Sequence, residues 1–266
     1  MQAKFAIIGG TGVYDPALLE APETYQIETP FGTCEVTIGR FHDKSVAFIP
    51  RHGRGHQVPP HRINYRANLW ALKEIGVEQV LATTAVGSLT REVEPGSFVI
   101  VDDFMDFTRS RPLTFFEQGK VVHVDMSDPY CARLRHHLRD KADQLGIAVH
   151  ACGTYVCTDG PRFETAAEIR MYAALGGTVV GMTSVPEVVL AKECELCYAT
   201  VCMVTNYGTG LSSTPLTHQE VVEQMAANVE KIRTWFFAVI DELDGPRTCA
   251  CSHAVSGQGE LTKGEN

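Results

Sequence analysis

Nothing in this sequence approaches the ~20 consecutive apolar residues that a membrane-spanning helix needs, so no membrane partner is expected. Positive charge is scarce too: 23 Lys and Arg stand against 32 Asp and Glu, a formal net charge of −9. Binding a nucleic-acid backbone wants a broad basic face, and this balance argues against nucleic acid as the main partner. The start, Met1-Gln2-Ala3-Lys4, has no signal-peptide pattern and enters a strand-like run directly, so a cytoplasmic location is expected. Internal repeats and linker-like stretches are lacking, which favours one domain over residues 1–244. What is present, 44% hydrophobic and 21% charged residues, suits a globular chain with a sizeable core.

Cysteine is the exception to this scarcity, with nine residues. Several sit in apolar runs, where the thiol acts as a small hydrophobe. Cys194-Glu195-Leu196-Cys197 has CxxC spacing, but no second Cys or His pair follows at zinc-site distance, and no metal site is expected.

Short apolar runs of strand length (residues 4–8, 45–49, 79–83, 98–101, 148–156, 178–181 and 197–204) alternate with helical patterns at 64–74, 129–145, 166–175 and 218–243. This alternation indicates an α/β fold with a central mixed β-sheet flanked by helices. From Gly245 the chain turns polar and Gly/Ser-rich, so 245–266 is expected to be a partly disordered tail.

The densest chemistry lies in Arg51-His52-Gly53-Arg54-Gly55-His56, directly after a strand-like run. Glycine lets a backbone approach a ligand, and arginine offers a planar fork of donors to phosphate. The same six residues would equally serve as a solvated basic turn. Gly9-Gly10-Thr11-Gly12 lacks the third glycine of a dinucleotide fingerprint and remains open as a backbone anion nest. Polar loops 9–12, 51–56, 83–88, 182–187 and 205–208 each follow a strand-like run. Ligands gather at the carboxyl ends of strands in α/β sheets, so these loops would together offer Thr11, Arg51, His52, Thr84, Thr183 and Asn206. That set holds hydroxyls and cations for an anion, with no Ser-His-Asp relay and no paired carboxylates. It suits an enzyme that positions phosphate and uses it as the nucleophile.

These stretches, together with Asn64-Tyr65-Arg66-Ala67-Asn68, Thr83-Thr84-Ala85-Val86-Gly87-Ser88-Leu89, Gly160-Pro161-Arg162-Phe163-Glu164-Thr165 and Met182-Thr183-Ser184-Val185-Pro186-Glu187, carry a resemblance over residues 4–243. The chain resembles the trimeric purine nucleoside phosphorylase and methylthioadenosine phosphorylase family. The resemblance implies phosphorolysis in purine salvage, with inorganic phosphate as co-substrate and no cofactor. It implies phosphate binding by Thr11, Arg51, His52, Thr84, Ala85 (through its N–H) and Thr183, with Arg54 and His56 as second choices. Met182 would lie against the sugar and Phe163 against the base, with Tyr207 and Gly208 beside them. His123 would reach a neighbouring subunit's site, implying a homotrimer or a dimer of trimers.

Three positions bear on the purine. Asn206 can donate to O6 and accept as well, where adenosine-type branches place aspartate. Glu164 can accept the N1–H that hypoxanthine and guanine carry and adenine lacks. His218 matches a histidine that faces the 5′-hydroxyl, where methylthio-accepting enzymes are apolar. Asn206 and Glu164 are therefore the expected catalytic pair, and inosine and guanosine the expected substrates. Arg51-His52-Gly53-Arg54 and Asn64-Tyr65-Arg66-Ala67-Asn68 are nevertheless in the style of methylthioadenosine phosphorylases, which keeps S-methyl-5′-thioadenosine or S-methyl-5′-thioinosine as the alternative. Cys249-Ala250-Cys251 resembles the CXC pair of heat-stable members. Its alternatives are a strained, labile disulfide and two reduced thiols.

Overall fold

The computed structural model describes residues 2–10, 13, 18–212, 218–259 and 261, with the backbone alone at 218–225 and 227. Thr11 and the side chain of His218 lie outside the described residues. The fold is α/β: one mixed sheet with helices on both faces.

The sheet is built around β1 (Phe5–Gly9), buried along its whole length. It pairs in parallel with β4 (Lys44–Pro50) and with β5 (Gln79–Ser88), so that Ile8 faces Ile49 on one side and Ala82 on the other. A strand covered on both faces reads as a continuous apolar run, as this one does. Its alternate residues serve two cores. Ala6 and Ile8 join Leu69, Trp70 and Leu190, while Phe5 and Ile7 join Leu138, Trp235 and Ile240. β2 (Glu20–Thr29) and β3 (Gly32–Phe41) extend the sheet in antiparallel fashion beyond β4. β2 forms the edge, and its exposed Glu20, Glu23 and Glu28 discourage pairing with another chain.

The first core lies under α1 (Tyr65–Glu74), which Asn64 caps by accepting from the Ala67 amide. Gly76, at φ +85°, follows its end in the left-handed conformation that glycine tolerates. The chain then runs through β6 (Phe98–Ile100), β7 (Asp103–Phe107), α2 (Ala132–Leu145), β8 (Val149–His150) and β9 (Thr154–Thr158). It continues with α3 (Ala166–Ala174), β10 (Val179–Gly181), α4 (Ser184–Glu193), β11 (Cys197–Tyr207) and α5 (His218–Glu242). Among the described residues, no helix is long and apolar enough to cross a membrane.

The topology branches at β5. Its first half lies between β1 and β11, both parallel to it, whereas Gly87 and Ser88 meet β10 antiparallel. The strand expected over 148–156 divides into β8, which pairs with β6, and β9, which pairs with β7 and β10; Gly153 lies between them, where a Cβ would press within 2.8 Å of Val99. Residues 245–259 fold back through a short 3-10 turn at Ala250–His253, with Cys251 and Val255 buried.

Candidate active site

The carboxyl ends of β1, β4, β5, β10 and β11, with one side of α5, enclose a cavity of about 490 Å³. All five stretches singled out above contribute, although two are not the loops expected, since 83–88 is the second half of β5 and 205–207 the end of β11: Gly10, Arg51 and His52, Thr83 to Gly87, Met182 and Thr183, and Asn206 with Gly208. Phe163, Glu164 and His56 also line it.

One end gathers a buried arginine, a histidine and two hydroxyls. Arg51 is 4% exposed and fixed on three sides. It donates from Nε and Nη2 to the Glu187 carboxylate at 2.7 and 2.6 Å, and from Nη1 to the Thr83 carbonyl at 2.8 Å. Glu187 is fully buried and also accepts from the Tyr198 hydroxyl at 2.6 Å. Burial opposes charge on Arg51, but the Glu187 carboxylate outweighs it and holds the guanidinium firmly protonated. The planar fork is thus pinned by its inner edge, and the remaining N–H bonds of Nη1 and Nη2 are left for a ligand.

His52 Nδ1 lies 2.9 Å from the Val58 carbonyl, which can only accept. Nδ1 therefore carries the hydrogen, and neutral His52 presents a lone pair at Nε2. Burial, aided by nearby Arg51, pushes the imidazole down to about 4, against the Val58 hydrogen bond. His56 stacks on it at 4.4 Å between ring centroids. The Thr84 and Thr183 hydroxyls meet at 3.1 Å, joining β5 to the loop after β10. These are neutral, rotatable donors beside a fixed cation.

The other end is more apolar and carries the hydrogen-bonding pair. Glu164 is 9% exposed and accepts from Thr158 Oγ1 at 2.8 Å. Burial raises its pKa, partly countered by that hydrogen bond. Asn206 reaches the cavity through an irregularity in β11, whose register with β5 shifts between Val204 and Asn206. Such a bulge re-aims side chains that a regular strand would alternate. The Thr205 hydroxyl donates to Asn206 Oδ1 at 2.9 Å, and Asn206 Nδ2 donates to the Tyr207 carbonyl at 2.9 Å. Gly87 leaves room for this amide, since a Cβ there would lie 3.0 Å from Nδ2. Gly160, at φ +63°, likewise makes room for Met182: a Cβ would collide with the thioether sulfur.

Other expected positions lie elsewhere. Arg54 is exposed and pairs with Glu35 at 2.6 Å, outside the main cavity. Tyr207 is half-buried and does not line the cavity, and His123 is exposed on the surface. Residues that sequence reasoning missed include Glu187 and Tyr198, which fix Arg51, and Ala226 and Val229, which bring α5 to the cavity.

The cysteines are grouped otherwise than their spacing suggests. The CxxC pair is split: Cys194 packs in the core under α1 and Cys197 in the opposite one. Cys197 instead meets Cys131, Cys249 and Cys251, all four sulfurs lying within 4.8 Å of one another. The expectation of no ligand cluster is corrected on this point, since the four converge only in three dimensions.

The sequence model of the phosphorylase superfamily matches residues 4–241, and the chain belongs to that family. It is 54% identical over 254 residues to a probable 6-oxopurine nucleoside phosphorylase of Dictyoglomus turgidum, covering 95% of this chain and 96% of that one. It is 52% identical over 262 residues to the 6-oxopurine nucleoside phosphorylase of Pyrococcus furiosus, covering 96% and 98%. Among solved structures, a methylthioadenosine phosphorylase from an Antarctic soil metagenomic library superposes with a TM-score of 0.90 at 34% identity, covering 96% of this chain and 91% of that one.

Proposed function

We propose that this chain catalyses phosphorolysis of 6-oxopurine nucleosides, inosine and guanosine, to the free base and ribose 1-phosphate. A phosphate oxygen forms the new bond to C1′ while the C1′–N9 bond breaks and its electron pair passes to the purine. The sugar becomes oxocarbenium-like on the way, so stabilising the transition state means holding an anion beneath the sugar and neutralising charge on the base. Arg51, the paired Thr84 and Thr183 hydroxyls and the Ala85 amide donate to the phosphate, and the His52 Nε2 lone pair accepts from its remaining O–H. Phe163 packs on the base and Met182 on the sugar. Glu164 accepts N1–H, and the Asn206 amide donates to O6 or N7 as negative charge develops there. Names of relatives at 52–54% identity support the same substrate class.

The observation that carries this reading is the buried Glu164 carboxylate facing the same cavity as Asn206, opposite a pinned arginine. An adenine base has no N1–H for that carboxylate, and an unmet buried acceptor penalises the wrong base strongly. The apolar carbons of Ala226 and Val229 favour a second reading, S-methyl-5′-thioinosine, whose 6-oxopurine keeps these contacts and whose thioether gains from burial. Exposed Phe163 and His123 suit a trimer in which a neighbour covers each site.

Asn206→Asp tests the base contact. A carboxylate there accepts from a 6-amino group and repels O6, so the ratio of kcat/KM for adenosine over inosine should rise by roughly 10-fold or more. An unchanged ratio would mean that Asn206 does not read the base.

A further inference from the structure

Cys131, Cys197 and the Cys249/Cys251 pair come from three places in the chain and bring their four sulfurs to one point. Cys131 stands at the start of α2, Cys197 opens β11, and Cys249 precedes and Cys251 lies within the turn of the C-terminal segment. Cys249 Sγ lies 3.2 Å from Cys197 Sγ and 3.7 Å from Cys131 Sγ. A tetrahedral ion with metal–sulfur bonds of about 2.3 Å requires sulfur–sulfur edges of about 3.8 Å. The four sulfurs thus occupy the space of one such coordination shell, with little movement needed to close it.

We propose that these four cysteines form a structural thiolate site for one tetrahedral metal ion, zinc by preference and ferrous iron as the other ion that four soft sulfur donors select.

The surroundings fit that use. Cys131, Cys197 and Cys251 are 3%, 0% and 6% exposed, Cys249 is half-buried, and the lining is apolar. Four protein ligands and a closed shell describe a structural site with no position open for catalysis. Binding replaces the thiol protons, four thiols and one divalent ion giving a dianionic centre and released protons, with no oxidant involved.

The site would also account for the order of the C-terminal segment. Residues 245–259 bury little apolar surface of their own, chiefly Cys251 and Val255. They nevertheless hold a defined course. Arg247 donates to the Glu195 carbonyl at 2.6 Å, and Gln258 exchanges two hydrogen bonds with the backbone of His123, at 2.9 and 3.1 Å. A metal clamp at 249 and 251 supplies the free energy that so polar a segment lacks.

The full-length protein, purified without an affinity histidine tag and under thiol reductant, tests this by elemental analysis. About one equivalent of zinc or iron per chain is expected. Reduced metal-free protein given Co²⁺ should develop a thiolate-to-cobalt charge-transfer band and the d–d bands of a tetrahedral ion, saturating at one equivalent. The Cys249→Ser/Cys251→Ser double variant should lose both, and Cys152→Ser, at an exposed thiol outside the cluster, should keep both. The same four sulfurs could instead pair as two disulfides. Reduced wild-type protein that takes up neither Zn²⁺ nor Co²⁺ would overturn the proposal, whatever the state of its cysteines as isolated. Metal retained at full stoichiometry by the double variant would overturn it equally.

Discussion

Replacing Glu187 by glutamine would leave the Arg51 guanidinium buried without its counter-ion. Breaking one half of a buried pair costs about 3–5 kcal/mol, because the remaining charge has lost its compensation. Glu187→Gln should therefore lower the denaturation midpoint markedly and raise the KM for phosphate, since the fork of Arg51 is no longer aimed. A stability change under about 1 kcal/mol, the range of exposed pairs, would contradict the account of this contact. Glu164 makes a pH-dependent prediction. Its pKa is raised by burial, so on acidification it takes up a proton before an ordinary carboxylate would. Protonated, it can no longer accept N1–H, and kcat/KM for inosine should fall along an acid limb that begins above the usual carboxylate range. Glu164→Gln should remove that limb and lower kcat/KM roughly 10- to 100-fold, the worth of a hydrogen bond to a charged group. A limb that survives in the variant would assign it to another residue.

At the scale of elements, the loop between β9 and α3 carries Phe163 and Glu164 to the cavity and makes room for Met182. Gly160 has φ +63° and yields its side-chain space to Met182. Gly160→Ala should raise KM for nucleoside, leave KM for phosphate near its original value, and lower stability by about 1 kcal/mol or more through the strained backbone. Equal effects on both KM values would show that the loop does not act on the sugar alone. This scale also separates what was legible in the sequence from what was not. The β1, β4 and β5 runs were legible because buried parallel strands are continuously apolar, and α1 because Asn64 and Gly76 mark its ends. β7 was not, because Asp103-Phe104-Met105-Asp106-Phe107 is only partly buried and lacks the alternation of a half-buried strand. The split of residues 148–156 was hidden because the two halves take different partners across the sheet, β6 for β8 and β7 and β10 for β9.

Across the whole molecule, the site was legible where its residues share short motifs and illegible where it depends on distant pairing. Arg51, His52, Thr84 and Thr183 could be gathered because each lies in the carboxyl half of a strand or just after one. Glu187 could not be given its role, since it meets Arg51 from 136 residues away. The sulfur cluster was hidden in the same way, its members spread from Cys131 to Cys251, and the nearest CxxC spacing pointed to a pair that the sheet divides. The long contacts have one consequence in common: the cavity and its supports draw on almost the entire chain. The residues proposed for phosphate do not tell one purine from another, so the central claim rests on the base end. Steady-state phosphorolysis of inosine, guanosine, S-methyl-5′-thioinosine and S-methyl-5′-thioadenosine by the wild-type enzyme tests it most directly. The account expects kcat/KM for the 6-oxopurine nucleosides to exceed that for S-methyl-5′-thioadenosine by at least ~100-fold, as a buried acceptor left unmet requires; a value for S-methyl-5′-thioadenosine above that for inosine would contradict it.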